Sequence, residues 1–313
     1  MMCSSCWPAA VLSLLVACAV APSESTTSSE VVSGNRIVAN RIVANRISLG
    51  RLSLDRLAVS RLSDRRMRLT PEAQNLVASS DGRELLSLVV GCAVPLGVTL
   101  VGTLNGTDVE FPGEVGLAPQ WLSSRLHRVG QHWVSACMFA RVNAREVVIP
   151  ISMRGPQPEL ATDEGERAGW TLEEAAFFGN AFGPQDQPLQ WFACRGRDKA
   201  AGDAGELAFR VCADPDPANP GFTLCGMIFA GDCGNFAADQ ACEAFSARGT
   251  FYERCHTSPL HHRHGDRDRF DDGHDGDRGL DEDHGLDGDH GHGGDDDGDT
   301  QVFDQVITTF VTP

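Results

Sequence analysis

The sequence predicts an α+β domain stapled by disulfides, and three observations carry that expectation. Between residues 67 and 258, three- and four-residue apolar spacings alternate with short β-branched and aromatic runs bounded by turn residues. That region holds eight cysteines, an even set without a C-x-x-C pair. A mostly apolar run near the N-terminus reads as an export signal, which would place those cysteines where disulfides persist.

The helical signals come first along the body. Thr70-Pro71 opens a short helix with an N-cap and a first-turn proline, and Asp81 and Glu84 form a capping pair ahead of Leu85, Leu86, Val89 and Val90. Cys92 closes that second helix. A hairpin follows over residues 98–101 and 109–111, turning at Asn105-Gly106. The longest helix is expected from Pro119, with Leu122, Leu126, Val129, Trp133, Ala136, Cys137 and Ala140 on one face. Cys92 and Cys137 would then pair between packed helices.

The second half reads as strands around one more helix. Residues 147–153 form an apolar strand, expected at a sheet edge because Pro150 has no N–H for a ladder. Thr171 and Glu174 make a capping box that predicts a helix over residues 175–182. Trp191 to Cys194 and Leu207 to Cys212 are expected strands, and Cys225 to Cys255 is a glycine- and cysteine-rich stretch held by disulfides. A final strand is expected over residues 302–311.

At the N-terminus, Trp7 to Ala21 is a run of 15 mostly apolar residues followed by the polar stretch Pro22 to Glu30. A membrane-spanning helix needs roughly 20 apolar residues, so the run reads as the core of a signal peptide over residues 1–17, although no Lys or Arg precedes it. Leu15-Val16-Ala17-Cys18 resembles the lipobox of bacterial lipoproteins. That resemblance implies cleavage before Cys18, lipidation of its sulfur, and, with Ala19 next rather than Asp, an outer-membrane address. A competing cut after Ala21 would place Pro22 just beyond the scissile bond, where its ring fits an extended protease site poorly. With Cys3, Cys6 and Cys18 set aside, Cys92, Cys137, Cys194, Cys212, Cys225, Cys233, Cys242 and Cys255 remain as up to four disulfides. Spacing leaves their pairing open among about 105 connectivities.

Charge divides the chain further. The net charge of −17 is uneven: residues 261–299 hold 14 Asp, one Glu and four Arg, whereas residues 35–69 hold nine Arg and two Asp. Arg36, Arg41, Arg46, Arg51, Arg56 and Arg61 recur every five residues, each followed by Ile or Leu. Five residues advance an α-helix by about 500°, so such a repeat leaves no apolar stripe, and a semi-ordered spacer is expected. The pentads resemble those, often written L-N-G-L, that precede Cys-containing domains in uncharacterised exported proteins of Gram-negative bacteria. That family carries no established activity. The organisation expected is thus a signal peptide (1–17), polar linker (18–34), pentad stalk (35–66), Cys-rich domain (67–258), disordered acidic insertion (259–299) and a C-terminal strand of the same domain (300–313).

Function is less legible. The chain lacks G-x-S-x-G, H-E-x-x-H, Walker A and dinucleotide fingerprints. An envelope hydrolase would have to use the paired carboxylates Glu173 and Glu174, which helix capping explains without chemistry. His127 and His132, five apart on a helix, do not share a face for a metal. Trp170, Trp191, Phe177 and Phe178 read as core before they read as a sugar- or peptide-binding face. The insertion interleaves His261, His262, His264, His274, His284, His290 and His292 with 15 carboxylates and 10 glycines. Imidazole suits Zn, Cu and Ni and carboxylate suits Ca, so a loose chelator stands beside a solvated spacer as its reading. The leading expectation is a cell-envelope lipoprotein with a binding or structural role, exported to the outer membrane or cell surface, or otherwise periplasmic or secreted. Its expected contacts are the membrane, through the lipid, and anionic envelope polymers. Specific nucleic-acid binding is not expected of so acidic a chain.

Overall fold

The computed structural model describes residues 30–33, 46–145, 147, 149–183, 190–234, 241–243, 246, 250–257 and 301–313. The expected signal segment, Cys18, the first two pentads and the expected insertion with its seven histidines lie outside the described residues. Among the described residues the architecture is α+β, built on two mixed sheets and four disulfides.

The larger sheet has eight strands in the order β1 (Glu30–Ser33), β6 (Ile149–Arg154), β14 (Ile307–Val311), β7 (Leu172–Asn180), β8 (Gln190–Arg195), β11 (Ile228–Asp232), β10 (Asn219–Thr223) and β9 (Pro215–Asp216). Only the β8–β11 pair is parallel. β7 is the strand where a helix was expected. It lies between β14 and β8, and Phe177 and Phe178 are both fully buried, in separate clusters. Period-two alternation buries both rings of such a pair, one on each face of a sheet, so packing overrides the local capping signal. The end of the expected polar linker forms the edge strand β1. β6 is therefore second from the edge rather than at it: its ladder with β14 covers Ser152 to Arg154 and stops short of Pro150.

Each face of this sheet carries its own core. On one, Ala175, Phe177, Trp191 and Ile307 meet α4 (Arg128–Arg141) and α3 (Ser80–Ala93). On the other, Ala176, Phe178, Phe192, Cys194, Tyr252 and Phe303 form a second cluster beneath the disulfide-bonded loops. The Cys92–Cys137 bridge joins α3 to α4. Residues 119–122 form a separate 3₁₀ turn, so the long helix begins at Arg128 and Val129 is left 58% exposed. Residues 205–209 likewise form a 3₁₀ turn where a strand was expected, and the C-terminal strand breaks into β13 (Val302–Phe303) and β14.

The smaller sheet runs β2 (Ala58–Ser63), β3 (Arg66–Leu69), β4 (Thr99–Leu104) and β5 (Thr107–Pro112). Asn105 and Gly106 turn β4 into β5 with φ of 52° and 80°, the left-handed pair that a two-residue hairpin requires. The pentads from residue 46 onward are not a spacer. α1 (Arg46–Ser53) and β2 belong to the domain, with Leu49, Leu52 and Leu57 fully buried, and the Leu57 N–H donating to the Trp121 carbonyl at 2.8 Å. A drifting stripe defeats only a long helix. Two turns need just Leu49 and Leu52, three apart, on one face.

Candidate functional site

Glu173 and Glu174 are adjacent on β7, but a bulge separates them. Thr309 pairs with Ala175 and Phe310 with Glu173, leaving Glu174 as the extra residue. Its carboxylate accepts from Arg210 Nε at 2.9 Å, both side chains being fully buried. Arg210 also donates to the Ala140 and Val142 carbonyls at the C-terminal end of α4, at 2.7 and 3.1 Å, where a cation complements the helix dipole. Glu173 instead meets the other core: Tyr252 Oη donates to it at 2.8 Å, and the Arg197 backbone N–H and guanidinium at 3.2 and 3.3 Å. Burial pushes the Glu173 carboxyl above its ordinary range, against the opposing pull of Tyr252 and Arg197. The same burial, with Glu173 beside it, raises the Tyr252 hydroxyl. The two carboxylates thus engage separate partners, and the geometry gives them no shared space in which to act as acid and base on one bond.

The expected histidine readings divide in the same way. His127 is the N-cap residue of α4, whereas His132 is buried, its Nδ1 3.1 Å from Gln305 Oε1 and its pKa lowered by that burial. His256 sits on β12 (Cys255–His256), which pairs with β13. The Thr257 N–H donates to the Gln301 carbonyl at 2.9 Å, so these two described residues, 44 apart in sequence, are neighbours. The eight body cysteines pair as Cys92–Cys137, Cys194–Cys233, Cys212–Cys225 and Cys242–Cys255. Phe177, Phe178 and Trp191 are core.

A cleft that the sequence did not signal opens where β6 ends. Its volume is about 920 Å³, and its walls are the turn at residues 154–162, α5 (Glu164–Gly169) through Arg167, and, from further along the chain, Ser246, Thr250, Phe251 and Glu253. Arg154 lines it although only 5% of the residue is exposed. Its guanidinium lies 3.8 Å above the Phe310 ring and donates to Ser152 Oγ at 2.9 Å and the Trp170 carbonyl at 2.6 Å. Burial pulls Arg154 down to about 10, with Glu166 opposing, so it stays cationic at neutral pH. Arg167 supplies a second guanidinium, held to the Thr162 carbonyl at 2.5 Å. Ser246 is 8% exposed and its Oγ has no hydrogen-bond partner among the described residues. Leu160 and Phe251 provide apolar wall, and Glu253 a carboxylate at the rim.

Comparison with protein families, characterised proteins and solved structures finds no match. The reading of this cleft therefore rests on its chemistry. Its residues come from β6, α5 and a loop some 90 residues later, and no linear motif joins them. The Pro156-Gln157-Pro158 turn was the available signal for a bend, but not for a cavity. Lys199, the single lysine of the chain, was also missed. It is 3% exposed, donates to Asp203 and the Leu207 carbonyl at 2.5 and 2.8 Å and forms an ion pair with Asp214 at 3.0 Å, a structural clamp.

Proposed function

We propose that this chain is an exported cell-envelope lipoprotein whose disulfide-stapled domain binds a small organic anion in the Arg154–Arg167 cleft. The observation that carries the reading is the buried, cationic Arg154 lining a cavity of about 920 Å³. Cavities of roughly 300–1,000 Å³ take small-molecule ligands, and a few fixed polar groups on apolar walls orient them. Arg154 is fixed by Ser152, Trp170 and Phe310, so little ordering remains to be done on binding. Ser246 Oγ offers a further polar contact, and Leu160 and Phe251 an apolar surface for the body of the ligand.

Anchoring rests on the lipobox-like Leu15 to Cys18, and export is supported by four disulfides. Among the described residues no helix is long and apolar enough to cross a membrane, so attachment would be through the lipid. The pentads give the membrane-proximal part a basic surface. Arg51, Arg56 and Arg61 are exposed while Leu52 and Leu57 are buried, an arrangement suited to anionic envelope polymers.

Thermal unfolding in the presence of aromatic and short-chain carboxylates, each beside its neutral amide, tests the ligand class. A carboxylate present at 100 times its Kd stabilises the fold by about 2.7 kcal/mol. Carboxylates should raise the midpoint and their amides should not; equal shifts from both would overturn the anion reading.

A further inference from the structure

Two of the disulfides touch. Cys194–Cys233 ties β8 to the residue after β11, and Cys242–Cys255 ties the following segment to β12. Cys194 Sγ lies 3.4 Å from Cys242 Sγ, and the Sγ atoms of Cys194, Cys233 and Cys242 all fall within 4.8 Å of one another. Backbone hydrogen bonds hold the same segments without help from sulfur. The Cys233 N–H donates to the Arg195 carbonyl at 2.8 Å, the Cys242 N–H to the Cys233 carbonyl at 3.1 Å, and the His256 N–H to the Ala241 carbonyl at 2.7 Å. Opening one bridge therefore leaves its sulfur beside the other bridge. Among the described residues, Cys92–Cys137 and Cys212–Cys225 have no such third sulfur.

Thiol–disulfide exchange needs a thiolate in contact with a disulfide sulfur, and reacting atoms about 3–3.5 Å apart are already at the distance of attack. We propose that Cys194, Cys233, Cys242 and Cys255 form a thiol–disulfide exchange site whose substrate is a dithiol, and that two electrons convert both bridges into a single Cys194–Cys242 bridge.

Entry is at Cys242, 3% exposed where the other three cysteines are wholly buried. One thiolate of the dithiol bonds to Cys242 Sγ, the bond to Cys255 breaks, and Cys255 leaves as a thiolate and takes up a proton. The second thiolate of the dithiol attacks the first one's sulfur, so the dithiol departs as a disulfide and Cys242 is released as a thiolate. Cys242 Sγ then bonds to Cys194 Sγ, the Cys194–Cys233 bond breaks, and Cys233 takes up the second proton. The dithiol has lost two electrons and two protons; the protein has gained thiols at Cys233 and Cys255 and kept one bridge. Release of Cys255 removes the covalent closure of the loop that carries Ser246, Phe251 and Glu253 and leaves its base to backbone hydrogen bonds, a consequence for ligand binding that rests on the cleft reading, whereas the exchange itself does not.

The test is graded reduction of the full-length oxidised chain with dithiothreitol, trapping of thiols with a maleimide in acid, and peptide mapping. The two-electron-reduced species should carry label on Cys233 and Cys255 and a Cys194–Cys242 bridge. Label on both partners of one native bridge, with the others intact, would overturn the proposal. Cys233→Ser provides a second reading without any reductant. The Cys194 thiolate it leaves should displace Cys255 from Cys242, so label moves from Cys194 to Cys255, whereas Cys225→Ser should leave label on Cys212. Label retained on Cys194 would contradict the exchange. Should Cys233→Ser fail to accumulate, the wild-type titration decides alone.

Discussion

Removing Arg210 should be among the most damaging single changes to the domain. Arg210→Met strands the fully buried Glu174 carboxylate, which accepts from Arg210 Nε at 2.9 Å, and leaves the Ala140 and Val142 carbonyls without the guanidinium donor. Breaking one side of a buried ion pair costs about 3–5 kcal/mol, a large share of the roughly 5–15 kcal/mol that holds a typical domain together. For a domain of this size each kcal/mol shifts the midpoint by about 2–4 °C, so a drop of about 6–20 °C is expected. Replacing both partners, Glu174→Leu with Arg210→Met, removes the stranded charge. The double variant should be more stable than the sum of the two singles predicts, by about 2 kcal/mol or more. Urea unfolding of the wild type and the three variants, with disulfides intact, measures that coupling. Additivity within about 0.5 kcal/mol would refute the pairing argument.

Glu173 titrates in the opposite sense from a carboxylate stabilised by its charge. Because its folded pKa is raised above the reference 4.5, the folded state holds the proton more tightly, and stability falls as pH rises from about 4.5 through the folded value. Glu173→Gln should therefore gain on the wild type between pH 4 and pH 7 in urea unfolding; a constant difference would contradict this. Replacing residues 258–300 by an Asn-Gly turn between Thr257 and Gln301 should keep the body folded and, from the shorter loop, add about 2 kcal/mol. Zinc titration of the full chain should show binding at pH 7.5 that weakens at 5.5, as imidazoles of pKa near 6.5 protonate. If the shortened chain binds zinc equally well, the insertion is not the ligand. A fatty-acid probe should label the wild type and not Cys18→Ser; equal labelling removes the lipid anchor from the account.

The parts of the fold written in local chemistry were legible. Thr70 caps α2 (Pro71–Val77) through its side-chain oxygen, the Asn105-Gly106 turn sets a hairpin, and the even cysteine set yields four bridges, although α3 is capped by Ser79, two residues before the expected Asp81. The segments that read wrongly are those where tertiary packing outweighs local preference. Thr171 and Glu174 carry a helix-capping pattern, yet burying Phe177 and Phe178 on opposite faces requires a strand. The Arg-Leu pentads have no helical period, yet one pentad and a half is enough to seat Leu49 and Leu52 against the core. The cleft was not legible at all. Arg154 reads as one arginine among 25, and only the fold brings it beside Arg167 and Ser246.

That cleft is the centre of the account, and fluorescence titration with dansylglycine, beside neutral dansylamide, tests it most directly. A hydrogen bond to a charged group contributes about 1.5–3 kcal/mol, so losing the Arg167 guanidinium should weaken the carboxylate about 10- to 100-fold. Dansylglycine should bind the wild type more tightly than dansylamide does, and Arg167→Gln should bring the two together while far-ultraviolet dichroism stays unchanged. Equal affinity of the wild type for both probes, or dansylglycine binding that Arg167→Gln leaves intact, would contradict an anion site between Arg154 and Arg167.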